Sequence, residues 1–164
     1  MKRPAATAAC TTVLLLAAAL TGCSDGTSQG EGLGPTAAGA SPSAPATVDT
    51  KAEGKLGTIL VDDKGNTLYL FLADTKNTSN CAGACATAWP PLLTKGAAEV
   101  GSGADKKLLG STKRSGGDEQ VTYNGHPLYY YAGDTKPGQT NGQALNQFGA
   151  EWYVLDAKGD KVES

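Results

Sequence analysis

The sequence predicts a mainly β domain: a small sandwich-like or closed sheet built from two related, hairpin-containing repeats, with a short helix near Cys81 and Trp89. Three observations support this prediction. A twelve-residue segment occurs twice, turn residues separate β-branched and aromatic runs, and the second strand of the first copy is apolar on both of its alternating faces. A period of two indicates a strand, and apolar residues on both faces indicate that the strand is covered on both sides.

The amino terminus predicts export to the extracytoplasmic face of the cell membrane. The chain begins Met-Lys-Arg, and the apolar run at 12–20 is shorter than the about 20 residues needed to span a bilayer. Residues 1–22 are therefore expected to be a signal peptide. Leu-Thr-Gly-Cys at 20–23 resembles the lipobox of bacterial lipoproteins, so we expect a diacylglyceryl anchor on Cys23. The alternative is an ordinary signal peptide that leaves Cys23 as a free thiol.

Residues 23–53 are expected to be a disordered tether. They are rich in Gly, Ser, Ala and Pro, with Leu33 and Val48 as the only large apolar residues. Such a segment buries too little surface to offset its ordering entropy, and as a coil it reaches roughly 30 Å. Residues 54–164 are long enough for a single domain, with repeat one at about 54–100 and repeat two at about 110–164.

The two repeats share sequence and turn chemistry. Residues 65–76 and 125–136 are identical at six of twelve positions. Asn124-Gly125 lies between β-branched and aromatic runs, which is the strongest short-range signal for a hairpin. A similar hairpin is expected around residues 62–66, and a third at 152–162.

The second strand of the first repeat is expected to alternate between two buried faces. Leu68, Leu70 and Leu72 would lie on one face, while Tyr69, Phe71 and Ala73 would lie on the other. Trp89 and Trp152 would fill comparable places downstream of the two Asp-Thr-Lys turns. The Ala-rich helix before Trp89 is expected to end at Pro90-Pro91, because the residue before proline avoids the helical region.

A family resemblance rests on four segments of the domain. They are Tyr69-x-Phe71-x-x-Asp74, Tyr129-x-Tyr131-x-x-Asp134 and the stretches at 79–91 and 120–129. Together they resemble the secreted-repeat bacterial lipoproteins defined by a Y-x-(F/W/Y)-x-x-D motif. The resemblance implies no established enzymatic activity.

The six motif residues have two interpretations. Their aromatic rings and carboxylates could form a surface for a glycan, a cofactor or a partner protein. The structural interpretation is favoured, because Asp followed by Thr after a strand usually accepts backbone N–H bonds in a turn, and alternating aromatics usually form core.

Cys81 and Cys85 are expected to form a structural disulfide, since they are the only pair beyond Cys23 in an oxidising compartment. Regular helical geometry places β-carbons at i and i+4 too far apart, so the bridge requires a turn or a frayed first helical turn. A reversible redox pair and thiolate ligation of Cu(I) or zinc remain alternatives. His126, the only histidine, is expected to be a turn residue, with a metal or haem contact as the alternative.

Three functional classes remain. The leading one is a non-enzymatic lipoprotein whose repeat module binds an envelope protein or cell-wall partner. The second is a redox, metal or haem-handling accessory that uses Cys81, Cys85 and His126. The third is an enzyme, for which no catalytic residues can be named. No cofactor is predicted, and a net charge of −2 without a basic cluster argues against nucleic-acid binding.

Overall fold

The structure of this protein, a computed structural model, describes residues 42–163. The predicted signal peptide, Cys23 and the first part of the predicted tether lie outside the described residues. The described chain forms short strands, one α-helix and a 3-10 turn at Gly54–Leu56. The strands are β1 Thr47–Ala52, β2 Thr58–Asp62, β3 Tyr69–Phe71, β4 Leu93–Thr94, β5 Glu99–Val100, β6 Leu109–Lys113, β7 Glu119–Tyr123, β8 His126–Pro127, β9 Leu145–Gln147 and β10 Ala150–Val154.

The strands form three small sheets. Their orders are β2-β1-β5, β3-β10-β9 and β4-β7-β6, with β8 paired to β7. All of these pairings are antiparallel except that of β1 with β5. The mainly β fold with two repeats and a short helix is therefore confirmed.

The helix α1 spans Ala84–Ala88. The Trp89 backbone N–H donates to the Cys85 carbonyl at 2.7 Å, and the helix stops there because Pro90 follows. The helix lies within the segment that the sequence predicts. No helix in the described part of the chain is long and apolar enough to cross a bilayer.

The turn chemistry sets two of the hairpins as predicted. Asn124 and Gly125 have φ values of 50° and 83° and join β7 to β8, as a two-residue turn with both central φ angles positive requires. Near the carboxyl end, Leu155 pairs with Lys161. In the first repeat Val61 bridges Thr67, but the strand that follows this turn, β3, pairs with β10 and not with β2.

The amino-terminal boundary of the domain corrects the predicted tether, which extends to residue 53. Thr47–Ala52 forms β1, which pairs with β2 over five residues and with β5 over two. Val48 is fully buried. Composition missed this strand because most of its stabilisation comes from backbone pairing, with a single large apolar side chain entering the core.

Strand β3 lies between two apolar clusters. Tyr69 and Phe71 belong to one cluster, which also contains both tryptophans and both described cysteines, while Leu68 and Leu70 belong to the other. The predicted alternation is confirmed for these four residues. Leu72 is 42% exposed and Ala73 is also exposed, in contrast to the prediction, because both follow the end of the strand.

Candidate functional site

Two tyrosine–aspartate pairs connect the repeats. The Tyr69 hydroxyl donates to Asp134 Oδ2 at 2.6 Å, and the Tyr129 hydroxyl donates to Asp74 Oδ2 at 2.6 Å. Each pair takes its tyrosine from one repeat and its aspartate from the other. Four of the six candidate motif residues therefore bind one another, and the shared segment forms its polar contacts between the copies.

The backbones of the two tyrosines also pair directly. Tyr69 N–H donates to the Tyr129 carbonyl at 2.8 Å, and Tyr129 N–H donates to the Tyr69 carbonyl at 3.0 Å. An approximate twofold axis passes between these residues, because exchanging the repeats reproduces both bonds. The two halves are arranged like the subunits of an isologous dimer.

Four aromatic rings form a continuous stack across this axis. Phe71 stacks on Trp152 at 4.1 Å between ring centroids and Trp152 stacks on Trp89 at 3.9 Å, while Tyr131 lies 4.4 Å from Trp89 with its ring tilted by 32°. The rings come alternately from repeat one and repeat two. The remaining two motif residues, Phe71 and Tyr131, are thus the ends of the stack, and the two tryptophans are its centre.

The tyrosines and a glutamine fix the tryptophans. Tyr69 lies edge-on to Trp89 at 5.4 Å, and Tyr129 lies edge-on to Trp152 at 5.2 Å. Trp89 Nε1 donates to Gln147 Oε1 at 2.9 Å, and Trp152 Nε1 donates to the Gln147 carbonyl at 3.0 Å. Both indole N–H groups are therefore satisfied although both side chains are completely buried.

The second oxygen of each carboxylate holds a loop. Asp74 Oδ1 accepts the Asn80 N–H at 2.6 Å, and Asp134 Oδ1 accepts the Asn141 N–H at 2.9 Å. Burial raises the pKa of both carboxyls above the ordinary value, and the hydrogen bonds that each accepts oppose this shift. The charge of Arg114 opposes it further at Asp74.

Arg114 extends the network on one side only. It donates to Ser79 Oγ at 2.8 Å, Gln120 Oε1 at 2.6 Å and the Cys81 carbonyl at 2.6 Å. Ser79 Oγ also lies 2.7 Å from the Tyr129 hydroxyl oxygen and donates to it, because the tyrosine proton is given to Asp74. Sequence reasoning missed these contacts; the available signal was Gln120, next to Val121 in a predicted strand, whose amide must find partners when buried.

In the second repeat, Gly142 follows Asn141, whose backbone N–H is bound by Asp134, and lies against the rings of Tyr69 and Trp89. A Cβ on this residue would lie 2.8 Å from the Trp89 ring and 2.9 Å from the Tyr69 ring. Its backbone N–H donates to the Tyr69 hydroxyl at 3.3 Å. In the first repeat the residue after Asn80 is Cys81, whereas in the second repeat the residue after Asn141 is Gly142. The two repeats therefore differ directly after the asparagine whose backbone N–H is bound by an aspartate.

Cys81 and Cys85 form a disulfide with 5.3 Å between their α-carbons, which confirms the predicted bridge. Cys81 precedes the helix, which begins at Ala84, so the bridge closes a turn and does not span regular helix. Both cysteines are buried in the cluster that contains the tryptophans. The bridge fixes the loop whose Cys81 carbonyl accepts Arg114.

We expect Cys81→Ser to lower the free energy of unfolding by about 2 kcal/mol, the entropy that so small a closed loop removes from the unfolded chain. The measurement is urea denaturation of the oxidised protein. Mild reduction of the unsubstituted chain should produce the same loss. An unchanged midpoint in both experiments would show that the bridge does not stabilise the fold.

The buried tyrosines predict an alkaline transition. Burial and a neighbouring carboxylate raise the pKa of Tyr69, Tyr129 and Tyr130 far above the ordinary value. The unfolded chain releases these protons near pH ~10 and the folded chain retains them, so the contribution of these three hydroxyls to stability is fully present below that pH and is lost as the pH rises above it. We expect tyrosinate absorbance from these residues to appear together with loss of circular dichroism. Tyrosinate from all three residues in a folded domain would contradict this.

His126 lies half-buried at the start of β8, next to the Asn124-Gly125 turn. Partial burial lowers its pKa, and the charge of Asp160 opposes that shift. Within residues 42–163 no group of three or more His, Cys, Asp and Glu side chains is arranged to hold a metal ion. His126 is thus the first residue of β8, paired with Tyr123, and follows the turn directly, whereas the sequence predicts it within the turn.

The described surface has shallow hollows, and two of them lie next to lysine side chains. One, of about 270 Å³, lies beside Thr94 and Lys95, and the other, of about 230 Å³, lies between Lys76 and Lys107. None of the six motif residues lines either hollow. Tyr69, Phe71 and Tyr129 are buried, and the other three motif residues, Asp74, Tyr131 and Asp134, are partly buried at the contact between the repeats.

Comparison with known families identifies the class of protein that these paired repeats define. The Lipoprotein_15 family, a secreted repeat of unknown function, matches residues 50–93 and 110–156, once for each half of the fold. The chain belongs to this family, as the sequence resemblance indicates. Membership of a family of secreted repeats implies an extracellular or envelope location. No curated protein and no solved structure matches the chain.

Proposed function

We propose that this chain is a non-enzymatic lipoprotein whose duplicated domain is held at the extracytoplasmic face of the cell membrane by acylated Cys23 and binds a protein or cell-wall component of the envelope. One observation carries the proposal. The side chains best suited to chemistry are paired with each other inside the fold: Tyr69 with Asp134, Tyr129 with Asp74, and Cys81 with Cys85. This pairing supports a rigid scaffold whose outer surface makes the functional contacts.

The position of β1 supports the proposed attachment. Ala44, three residues before β1, is already tied to the domain because its carbonyl accepts the Lys95 N–H at 3.2 Å, so the 20 residues at 24–43 separate Cys23 from the domain. A flexible segment of this length has a root-mean-square reach of roughly 25 Å, enough to hold a small domain next to the lipid headgroups. The two acyl chains would bury tens of methylene groups at about 0.8 kcal/mol each, so the attachment would be lasting.

Acylation is tested by mass spectrometry of the chain purified from membranes of its native host. We expect loss of residues 1–22 and a diacylglyceryl adduct on Cys23. Cys23→Ser should release the domain from the membrane fraction, whereas Cys10→Ser, within the predicted leader, should leave it bound. An unmodified sulfur on a chain that keeps its leader would overturn the proposed anchor.

A redox, metal or haem-handling role is the second candidate, and it is favoured by the disulfide next to the buried tryptophans. It would use Cys81 and Cys85 as the reactive pair, and His126 would act separately, because the three residues do not form one metal-binding group. Metal analysis, visible absorbance and thiol titration of the purified chain distinguish the two proposals. A stoichiometric metal, a coloured cofactor or a bridge that cycles without loss of the fold would support the second candidate.

A further inference from the structure

Two large apolar side chains that are substantially exposed lie at the same end of one sheet. In the described chain, Leu72 is 42% exposed and Phe148 is 48% exposed. Leu72 N–H donates to the Glu151 carbonyl at 3.0 Å, and Phe148 lies in the turn between β9 and β10. Both residues therefore lie where β3 ends and β10 begins. We call this region the apolar end of the β3-β10-β9 sheet.

The backbone at Phe148 adds a second anomaly. Phe148 and Gly149 have φ values of 57° and 94° and form the two-residue connection of a hairpin. Such turns favour asparagine followed by glycine, because the first position requires a left-handed conformation that disfavours bulky side chains. Phenylalanine at this position is unfavourable both for its backbone and for its exposure, which points to a role outside folding.

The turn is held rigidly. Gln147, directly before Phe148, accepts both buried indole N–H groups, one through its side chain and one through its carbonyl. The hairpin is thereby fixed to the centre of the aromatic stack. The hairpin holds Phe148 in a fixed position, so little conformational entropy is lost when its side chain makes a contact.

The segments around the apolar end carry no charge. No Asp, Glu, Lys, Arg or His occurs at 77–94 or at 137–150, the two segments that meet where Trp89 donates to Gln147. Two carboxylates border these segments, and both are hydrogen-bonded: Glu151 accepts the Tyr153 hydroxyl and Asp74 accepts the Tyr129 hydroxyl. The apolar end can therefore make a shallow contact with lipid through uncharged residues, while the two carboxylates stay at its border.

We infer that the apolar end inserts Phe148 and Leu72 shallowly into the outer leaflet of the membrane to which the chain is anchored, an inference that rests on the proposed function. A flexible tether of this length raises the effective concentration of lipid at the domain to about the millimolar range. Two side chains provide only weak affinity, and the tether makes that affinity sufficient. The contact orients the domain and directs its other surfaces toward the envelope.

The test uses the chain from Cys23 to Ser164. Cys23 is its only free thiol, because Cys81 and Cys85 are bridged, and it is coupled to a maleimide lipid in vesicles of phosphatidylglycerol and phosphatidylethanolamine. Phe148→Trp serves as the reporter, measured against the unsubstituted chain with its buried tryptophans. We expect a blue shift of the added emission and its quenching by brominated lipid. The control is Lys158→Trp, in the turn beyond the opposite end of β10, which should show neither effect.

A second variant separates folding from docking. Phe148→Asn creates the Asn-Gly turn that the backbone favours, so the domain should fold at least as stably. When Leu72→Trp is the fluorescent reporter, adding Phe148→Asn should reduce the quenching of that reporter by brominated lipid. The inference would be overturned if the reporter at position 148 stayed exposed to water when the chain is coupled to vesicles. It would also be overturned if, without vesicles, the emission shifted to the blue as the protein concentration rises, because that would mean that a second copy of the chain covers the apolar end. Because coupling is chemical, neither result depends on natural acylation.

Discussion

Trp152→Ala is expected to lower the free energy of unfolding by about 3–5 kcal/mol, the range found when a large buried aromatic is truncated. Trp152 is completely buried between Phe71 and Trp89, with Tyr129 edge-on to its ring. Its removal interrupts the stack at the centre of the domain and leaves the Gln147 carbonyl without its donor. Urea denaturation followed by circular dichroism measures the loss.

The matched control for this variant is Phe148→Ala in the soluble chain. It also removes an aromatic ring, but from the surface, so a change within about 0.5 kcal/mol is expected. If Trp152→Ala and Phe148→Ala lowered the free energy of unfolding by the same amount, the burial of Trp152 in the stack would not be the main source of its stabilising effect. Equal losses would also remove the basis for regarding Gln147 as a link between the hairpin and the core.

Tyr69→Phe and Tyr129→Phe are each expected to destabilise the domain by about 1.5–3 kcal/mol, the value of a hydrogen bond to a charged group. Each substitution removes only the hydroxyl and leaves a partly buried carboxylate of the other repeat short of a donor. The effect of Tyr129→Phe should be the larger of the two, because its hydroxyl contacts both Asp74 and Ser79. Equilibrium denaturation of both variants and their combination measures these values.

Tyr153→Phe provides the control for the tyrosine variants. Its hydroxyl donates to Glu151, two residues away in the same strand, at 3.1 Å. Because this bond joins neighbours within one repeat, its loss should be worth less than about 1 kcal/mol. A comparable loss in all three variants would contradict the importance of the contacts between repeats. A double-mutant cycle of Tyr69→Phe with Asp134→Ala isolates the energy of one pair.

Local chemistry allowed some of the strands and turns to be predicted, whereas β1, β4, β5, β6 and β9 were not. Asn124-Gly125 specifies its own hairpin, and the alternation from Leu68 to Phe71 places two faces of β3 in two cores. The helix end before Pro90 follows from the same kind of local constraint. Each of these features depends on residues within a few positions of one another.

The pairing between repeats could not be derived in this way. β3 pairs with β10 from residues about eighty positions away, and nothing in either strand specifies that choice. The repeated Tyr and Asp indicated a duplicated structure, but a tyrosine can reach the aspartate of its own repeat or that of the other with equal local plausibility. β1 was missed because a strand with one buried valine has the composition of a linker.

Each repeat places its tyrosine, Tyr69 or Tyr129, against the aspartate of the other repeat, and this has a consequence for proteins built from this repeat. A solitary copy would expose its tyrosine hydroxyl, its carboxylate and half of the aromatic stack, so it should exist only as a pair of identical chains. Longer polypeptides should contain the repeat in even numbers, because an unpaired repeat would have no second repeat to bind its tyrosine and aspartate. Gene duplication would then have converted an ancestral homodimer into one covalent molecule, after which each half could change independently.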